Sequence, residues 1–146
     1  MKEEVKKQTK EINFELGSLT KEELEALLNA LPLDITFVDA EDFIRYFNQP
    51  RERLFSREET ILGCKVQEYH SQESIPAVNQ ILADFKSGRR EMFESWLNLD
   101  DRLVYVRYLA VRNKEGDYLG CLEVVQDITE TKKIEGEKKA LERRRE

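Results

Sequence analysis

The sequence has few of the residues on which most catalytic centres depend. Its 146 residues include one histidine, two cysteines and one tryptophan. A single histidine excludes a metal site built from several histidines. It also leaves only one residue that could act as the base of a Ser-His-Asp site. Two cysteines are too few for a disulfide framework and favour a reducing compartment. We therefore expect a cytoplasmic protein that is not an enzyme.

Long apolar runs are also lacking. No stretch reaches the ~18 apolar residues of a membrane helix, and the charged start has no apolar core of a signal peptide. The chain is instead rich in charge, with 37% charged residues and a net charge of -6 from 24 basic and 30 acidic residues. An acidic domain has no general attraction to nucleic acid or to anionic lipid.

The charge is concentrated at both ends of the chain. Residues 1–17 and 130–146 are helix-prone, mixed in sign and poor in large apolar side chains. We expect a folded domain at 20–129, a charged linker or helix at 1–19, and a charged exit helix or tail at 130–146. Ile134 and Leu141 lie seven positions apart, so the second end is either a weak coiled coil or a solvated tail.

Hydrophobic spacing predicts an α+β domain with an antiparallel sheet. Thr20 and Glu23 fit a capping box ahead of a leucine-rich helix that ends before Pro32. A second helix is expected at 74–87, with Gly88 as its stop. Strands are expected at 35–39, 43–47, 91–99, 103–111 and 118–127. Strands that are clustered and split by a helical insert favour the α+β class.

Three segments of the sequence, in the same order, resemble parts of a PAS sensor domain. Residues 32–48, Pro-Leu-Asp-Ile-Thr-Phe-Val-Asp-Ala-Glu-Asp-Phe-Ile-Arg-Tyr-Phe-Asn, resemble its first two strands. Residues 113–120, Asn-Lys-Glu-Gly-Asp-Tyr-Leu-Gly, resemble its last turn, and 125–129, Val-Gln-Asp-Ile-Thr, its exit toward a signalling helix. The resemblance implies a PAS-like, five-stranded antiparallel sheet with flanking helices around a small cavity. It also implies sensing or partner binding rather than catalysis.

More narrowly, the chain resembles the C-terminal PAS domain of prokaryotic proteins with an upstream hemerythrin-like domain. In that subgroup the segment 63–70, here Gly-Cys-Lys-Val-Gln-Glu-Tyr-His, runs into a Cys-His-Pro triplet. This sequence keeps His70, with Tyr69 and Ser71 on either side.

Three groups of residues are candidate sites. Aromatic and polar residues of the predicted core are candidates for a ligand pocket: Phe37, Phe47, Phe55, Phe85, Trp96, Tyr105, Arg107 and Tyr108. His70, with Cys64, is a candidate for binding haem or a metal, and a surface or hydrogen-bonded histidine is the alternative. Asp127, Ile128 and Thr129 form the expected signal exit. Trp96 and Cys121 are expected to be buried.

The sequence thus favours a regulatory sensor or interaction module that binds a small ligand or a protein partner and signals through its C-terminal helix. One alternative is a haem or metal sensor through His70, and another is a structural dimerisation module without a ligand. We expect a homodimer through the 20–31 helix and the sheet, because the leucine stripe on this helix is an apolar surface that a second copy could bury. Other domains of a longer chain are further candidate partners. The cofactor stays open, with haem as one alternative.

Overall fold

The computed structural model describes residues 10–140. This part of the chain contains a small hairpin, two α-helices and a five-stranded antiparallel sheet, so the predicted α+β class is confirmed. The elements are β1 (Glu11–Asn13), β2 (Ser18–Thr20), α1 (Lys21–Ala30), β3 (Asp34–Asp39), β4 (Ile44–Phe47), α2 (Ile75–Ser87), β5 (Met92–Leu99), β6 (Arg102–Arg112) and β7 (Tyr118–Asp127). Short 3-10 turns occur at Glu59–Ile61, Val66–Tyr69 and Thr131–Lys133.

The sheet has the strand order β4-β3-β7-β6-β5, so the last strand lies in its centre. Every pairing is antiparallel. The register aligns Thr36 of β3 with Glu123 of β7, Glu123 with Tyr108 of β6, and Tyr108 with Phe93 of β5. Since side chains on neighbouring strands in register share a face, these four residues form one row across the sheet.

Both helices begin and end as their sequences predict. The Thr20 hydroxyl accepts a hydrogen bond from the Glu23 amide at 3.0 Å, and the Glu23 carboxylate accepts one from the Thr20 amide at 2.8 Å, which completes the capping box. Helix α2 ends at Gly88, whose φ of 77° places it in the left-handed region that glycine adopts without strain.

The core lies between α2 and one face of the sheet. Its main cluster contains Phe85, which is fully buried, together with Val38, Ile44, Phe47, Ile61, Leu82 and Cys121. A second cluster of Val104, Val106 and Val125 lies further along the central strands. No helix within residues 10–140 is long and apolar enough to cross a membrane.

A charged linker or helix at 1–19 and an exit helix or tail at 130–146 were expected; residues 1–9 and 141–146 lie outside the described residues, and the described parts of both ends contain no α-helix. Residues 11–20 form a hairpin, because Gly17 adopts a φ of 94° and its carbonyl accepts the Phe14 amide at 2.9 Å. Beyond Thr129 the described chain forms only the turn Thr131–Lys133, and Gly136 with a φ of 69° breaks any helix there. Ile134 is 75% exposed, and Leu141 lies outside the described residues.

Trp96 is not in the core. Its side chain is 64% exposed, so the prediction of burial is wrong. Side chains alternate between the two faces of a strand, and on β5 the half-buried Phe93 and Ser95 turn toward the core. Trp96 therefore turns to the opposite face.

Candidate functional site

A cavity of about 720 Å³ lies between α2, the chain from Ser56 to Ser74 and the inner face of the sheet. Its apolar wall includes Val38, Ile44, Ile61, Val78, Ile81 and Leu82. The four-residue row of Thr36, Glu123, Tyr108 and Phe93 also lines it, on the sheet side. We call this row the cavity floor. An apolar cavity with a few converging polar groups is typical of a small-molecule site.

An ion pair lies on the cavity floor. The Arg57 Nη2 donates to Glu123 Oε1 at 3.1 Å, and the two side chains are only 26% and 16% exposed. Arg57 comes from the loop after β4, whereas Glu123 belongs to the central strand β7. The pair therefore joins a loop that lines the cavity to the strand that leads to the C-terminal exit.

The Tyr108 hydroxyl on the floor and the Cys121 thiol in the wall both keep their protons. Burial, together with the nearby Glu123 carboxylate, raises the pKa of Tyr108 well above its ordinary value. Burial, with added effects of Glu123 and Asp42, raises the pKa of the Cys121 thiol to about 12. Tyr108 is therefore a neutral phenol that interacts with Glu123, and Cys121 is a protonated thiol rather than a nucleophile.

Acidic residues and His70 also line the cavity. The exposed Glu58 and Glu73 line it, together with Tyr69 and His70. His70 Nδ1 lies 2.9 Å from the Val66 carbonyl oxygen. Because a carbonyl only accepts, Nδ1 donates in this contact, which leaves Nε2 for other partners.

Tyr108 is the single member of the predicted pocket set that lines the cavity. Phe47 and Phe85 are buried in the main core cluster, and Phe55 packs against the second cluster. The remaining four residues alternate away from the floor residues on their strands, and so lie on the other face of the sheet: Phe37, Trp96, Tyr105 and Arg107. On that face the Arg107 guanidinium lies 4.8 Å from the centre of the Tyr105 ring.

The sequence reasoning missed Thr36, Arg57 and Glu123. The strand alternation contains a signal for one of them, since Glu123 interrupts an apolar run between Leu122 and Val124. A charged residue at an inward position of a central strand indicates a buried polar site. Arg57 carries no comparable signal, because its loop has no hydrophobic period.

Cys64 does not line the cavity with His70. Its Sγ lies 3.6 Å from the Thr60 carbonyl oxygen and 4.0 Å from the Tyr69 hydroxyl. Within residues 10–140 no three or more histidine, cysteine, aspartate or glutamate side chains cluster as metal ligands would. If a haem were bound in the cavity, His70 would be the candidate to hold it, without Cys64.

The expected signal exit is a hydrogen-bonded turn. Asp127 Oδ1 accepts from the Thr129 hydroxyl at 2.6 Å and from the Thr129 amide at 2.9 Å, and these bonds lower the pKa of Asp127. The Thr129 hydroxyl oxygen accepts from the Leu103 amide at 2.8 Å, and the Ile128 amide donates to the Leu103 carbonyl at 2.9 Å. The end of β7 is therefore fastened to the start of β6.

Comparisons with known proteins agree with this architecture. Residues 24–129 match the family model described as a PAS domain. The C-terminal domain of a Streptococcus mutans protein is 32% identical, with a TM-score of 0.82, covering 88% of this chain and 99% of that one. A search of curated proteins finds no match.

Two more distant structures share the fold. A sensory box sensor histidine kinase from Vibrio cholerae is 18% identical, with a TM-score of 0.52, over 73% of this chain and 89% of that one. The PAS domain of a Colwellia psychrerythraea protein is 16% identical, with a TM-score of 0.54, over 75% and 97% of the two chains.

Proposed function

Because the chain belongs to the PAS domain family, we propose that it is a regulatory sensor module that binds a small ligand in the cavity under α2. PAS domains are typically sensory rather than catalytic, and a sensor histidine kinase from Vibrio cholerae shares the fold. The observation that carries the proposal is the 720 Å³ apolar cavity with the Arg57–Glu123 pair on its floor. The same cavity speaks against a dimerisation module without a ligand, which needs no such space.

Strand β7 supplies the route for a signal. Glu123 lies on the cavity floor, and the strand continues to Asp127, where the exit turn begins. A ligand that favours one position of the Arg57–Glu123 pair would shift β7 along with it, and the hydrogen bonds of the Asp127-Ile128-Thr129 turn would respond. A ligand shifts such an equilibrium only by its difference in affinity for the two arrangements.

Native mass spectrometry of protein purified gently from cells tests the proposal. We expect a non-covalent molecule on the wild-type chain, released on unfolding. Val78→Trp should fill the cavity, because the half-buried Val78 lines it, whereas Ala83→Trp lies on the exposed side of the same helix and is the control. The adduct should be lost in the first variant and retained in the second. A bare chain in all three proteins, or equal retention in both variants, contradicts the proposal.

Haem bound through His70 is a second candidate function. In its favour, His70 lines the cavity and its Nδ1 contact with Val66 leaves Nε2 as the free nitrogen. Against it, the nearby Glu58 and Glu73 carboxylates would repel the propionates of haem. A Soret band on addition of hemin that is lost in His70→Ala would support this function, and an unchanged spectrum would reject it.

We also propose partners and a cellular location for the protein. PAS domains often dimerise or occur within longer chains, and we propose a homodimer through α1 and the sheet. The 63–70 resemblance supports an upstream hemerythrin-like domain as a further partner. Two free cysteines, Cys64 and Cys121, agree with a cytoplasmic location. We propose neither a catalytic activity nor a nucleic-acid or membrane partner.

A further inference from the structure

The floor of the cavity is neutral in charge. Arg57 and Glu123 neutralise each other at 3.1 Å, and the other carboxylates that line the cavity, Glu58 and Glu73, are exposed. A carboxylate ligand that reached Arg57 would have to displace Glu123 or lie beside it. Either arrangement places one uncompensated negative charge in a half-buried site, which is costly. An ammonium group would meet the guanidinium and face the same cost with the opposite sign.

The Arg57 guanidinium on the floor has N–H donors that no group of the described structure accepts. A guanidinium carries five N–H groups. In the described structure that of Arg57 makes two hydrogen bonds, one to Glu123 at 3.1 Å and a long one to the Ser56 carbonyl at 3.4 Å. Burial raises the pKa of Tyr108, and its O–H interacts with the Glu123 carboxylate, which raises that pKa further. A ligand on the floor therefore finds the remaining guanidinium N–H groups, and an acceptor oxygen of the ligand satisfies them.

The apolar walls of the cavity favour an apolar body for the ligand. Above the floor, aliphatic side chains of β3, β4 and α2 line the cavity, and Phe93 adds an apolar surface on the floor itself. Apolar surface gains about 25 cal/mol for each Å² removed from water, so a mostly hydrocarbon body is favoured there. A polar body would lose its hydration against these walls without replacement.

We propose that the ligand is a neutral, mostly apolar molecule with a carbonyl-type oxygen, which accepts hydrogen bonds from Arg57 while the Arg57–Glu123 pair stays intact. This inference rests on the proposed function, since it names the chemistry of the same cavity. It differs from that function in excluding carboxylates and amines as head groups. It also assigns Arg57 as the residue that recognises the oxygen.

Four naphthalene derivatives of one size test the head group on the full chain. They are 1-acetonaphthone with a ketone, 1-ethylnaphthalene with no oxygen, 1-naphthoate with a carboxylate and 1-(1-naphthyl)ethylammonium with a cation. Dissociation constants come from NMR titrations. We expect the ketone to bind at least about 10-fold more tightly than the hydrocarbon, the gain of one hydrogen bond to a charged donor. It should also bind more tightly than either ion.

The variant Arg57→Met with Glu123→Met removes the guanidinium donor, adds no amide donor and leaves no unpaired charge. In this variant the ketone should bind no more tightly than the hydrocarbon. The affinity of the hydrocarbon itself should change less than about twofold. The control is Arg45→Met with Asp39→Asn, which removes a pair on the surface, 3.4 Å long, that does not line the cavity. The control should keep the ketone preference.

The outcomes separate this inference from the proposed function. If the hydrocarbon binds and the ketone gains nothing, or if naphthoate or the ammonium compound binds most tightly, the head-group inference is overturned and the cavity remains a ligand site. A ketone preference that survives removal of Arg57 overturns the role of that residue. If none of the four compounds binds at millimolar concentration, both proposals fail.

Discussion

Asn48 is the side chain at which three segments of the domain meet. It is fully buried, and its Oδ1 accepts the Ile35 amide at 2.8 Å. Its Nδ2 donates to the Leu28 carbonyl at 2.9 Å and to the Leu33 carbonyl at 3.1 Å. One amide thus fastens the end of α1 and the start of β3 to the end of β4.

Replacing Asn48 with alanine should therefore cost much of the domain's stability. One buried and two half-buried backbone groups would lose this partner, and each loss of a buried partner costs ~1–3 kcal/mol. We expect a decrease of about 3 kcal/mol or more in the free energy of unfolding, measured by urea denaturation. Asn98→Ala, at an exposed position of β5, is the control and should stay within about 0.5 kcal/mol. Equal effects of the two substitutions would refute this role for Asn48.

The two thiols should differ sharply in reactivity. The pKa of Cys121 is raised to about 12, so at pH 8 hardly any thiolate is present to react. Cys64 is only partly buried. The variants Cys121→Ser and Cys64→Ser each keep one thiol. A disulfide reagent at pH 8 should modify Cys64 in the first at least about 100-fold faster than Cys121 in the second. Comparable rates would show that Cys121 is not held in the apolar wall.

The sequence does not tell which residues of a strand face the cavity. Apolar residues occupy both faces of β5 and β6, as in Met92, Phe93, Trp96 and Leu97, so composition does not tell which face turns inward. That choice depends on register with β7, which is paired across distant parts of the chain. Glu123 was identifiable as a charged residue in an apolar strand. Arg57 was not, because its position depends on the fold of a loop.

The strands are the elements that the sequence predicts best. The five predicted ranges agree with the observed ones within one residue at each end, since alternation and turn residues act locally. The hairpin of β1 and β2 was missed, because its strands have only three residues each, too few to show an alternating pattern. A single positive φ at Gly17 decides the structure there.

Close packing of β7 on β3 depends on Gly120. A Cβ atom at this position would clash with the Val38 carbonyl oxygen and the Phe37 ring. Gly116 also has a positive φ, of 87°, but a Cβ there meets nothing within 4 Å. Gly116→Ala is therefore a control that carries the backbone cost alone.

We expect Gly120→Ala to lower the free energy of unfolding by about 3 kcal/mol or more, because the clash adds to the backbone strain. Gly116→Ala should cost about 1–2 kcal/mol. Thermal and urea denaturation measure both. If Gly120→Ala were no worse than Gly116→Ala, the sheet would have room at this point and the contact would not constrain β7.

At the scale of the whole molecule, exposed apolar side chains favour a second copy of the chain. On α1, Leu27 is 49% exposed, and none of the helix is fully buried. On the sheet face away from the cavity, Met92 is 46% and Trp96 64% exposed. A two-fold dimer would cover the same surface on both chains.

Sedimentation equilibrium at micromolar concentration should therefore give about twice the mass of the 17.3 kDa chain. Leu27→Lys and Trp96→Lys should each weaken association at least about 10-fold, by burying a charge at the interface. Leu62→Lys is the control, since Leu62 is exposed but lies in the loop after β4. A monomer at all concentrations would reject the dimer and leave the cavity unaffected.

The central claim is that the cavity and the exit turn are coupled. Hydrogen exchange tests it on protein purified with its bound molecule and on the same protein stripped of it. The amides of Ile128 and Thr129, which bond to Leu103 and Asp127, should change their exchange rates at least about fivefold. Amides in the distant turn 113–117 should not change. Protection confined to the cavity, with unchanged rates at 128 and 129, would contradict the account.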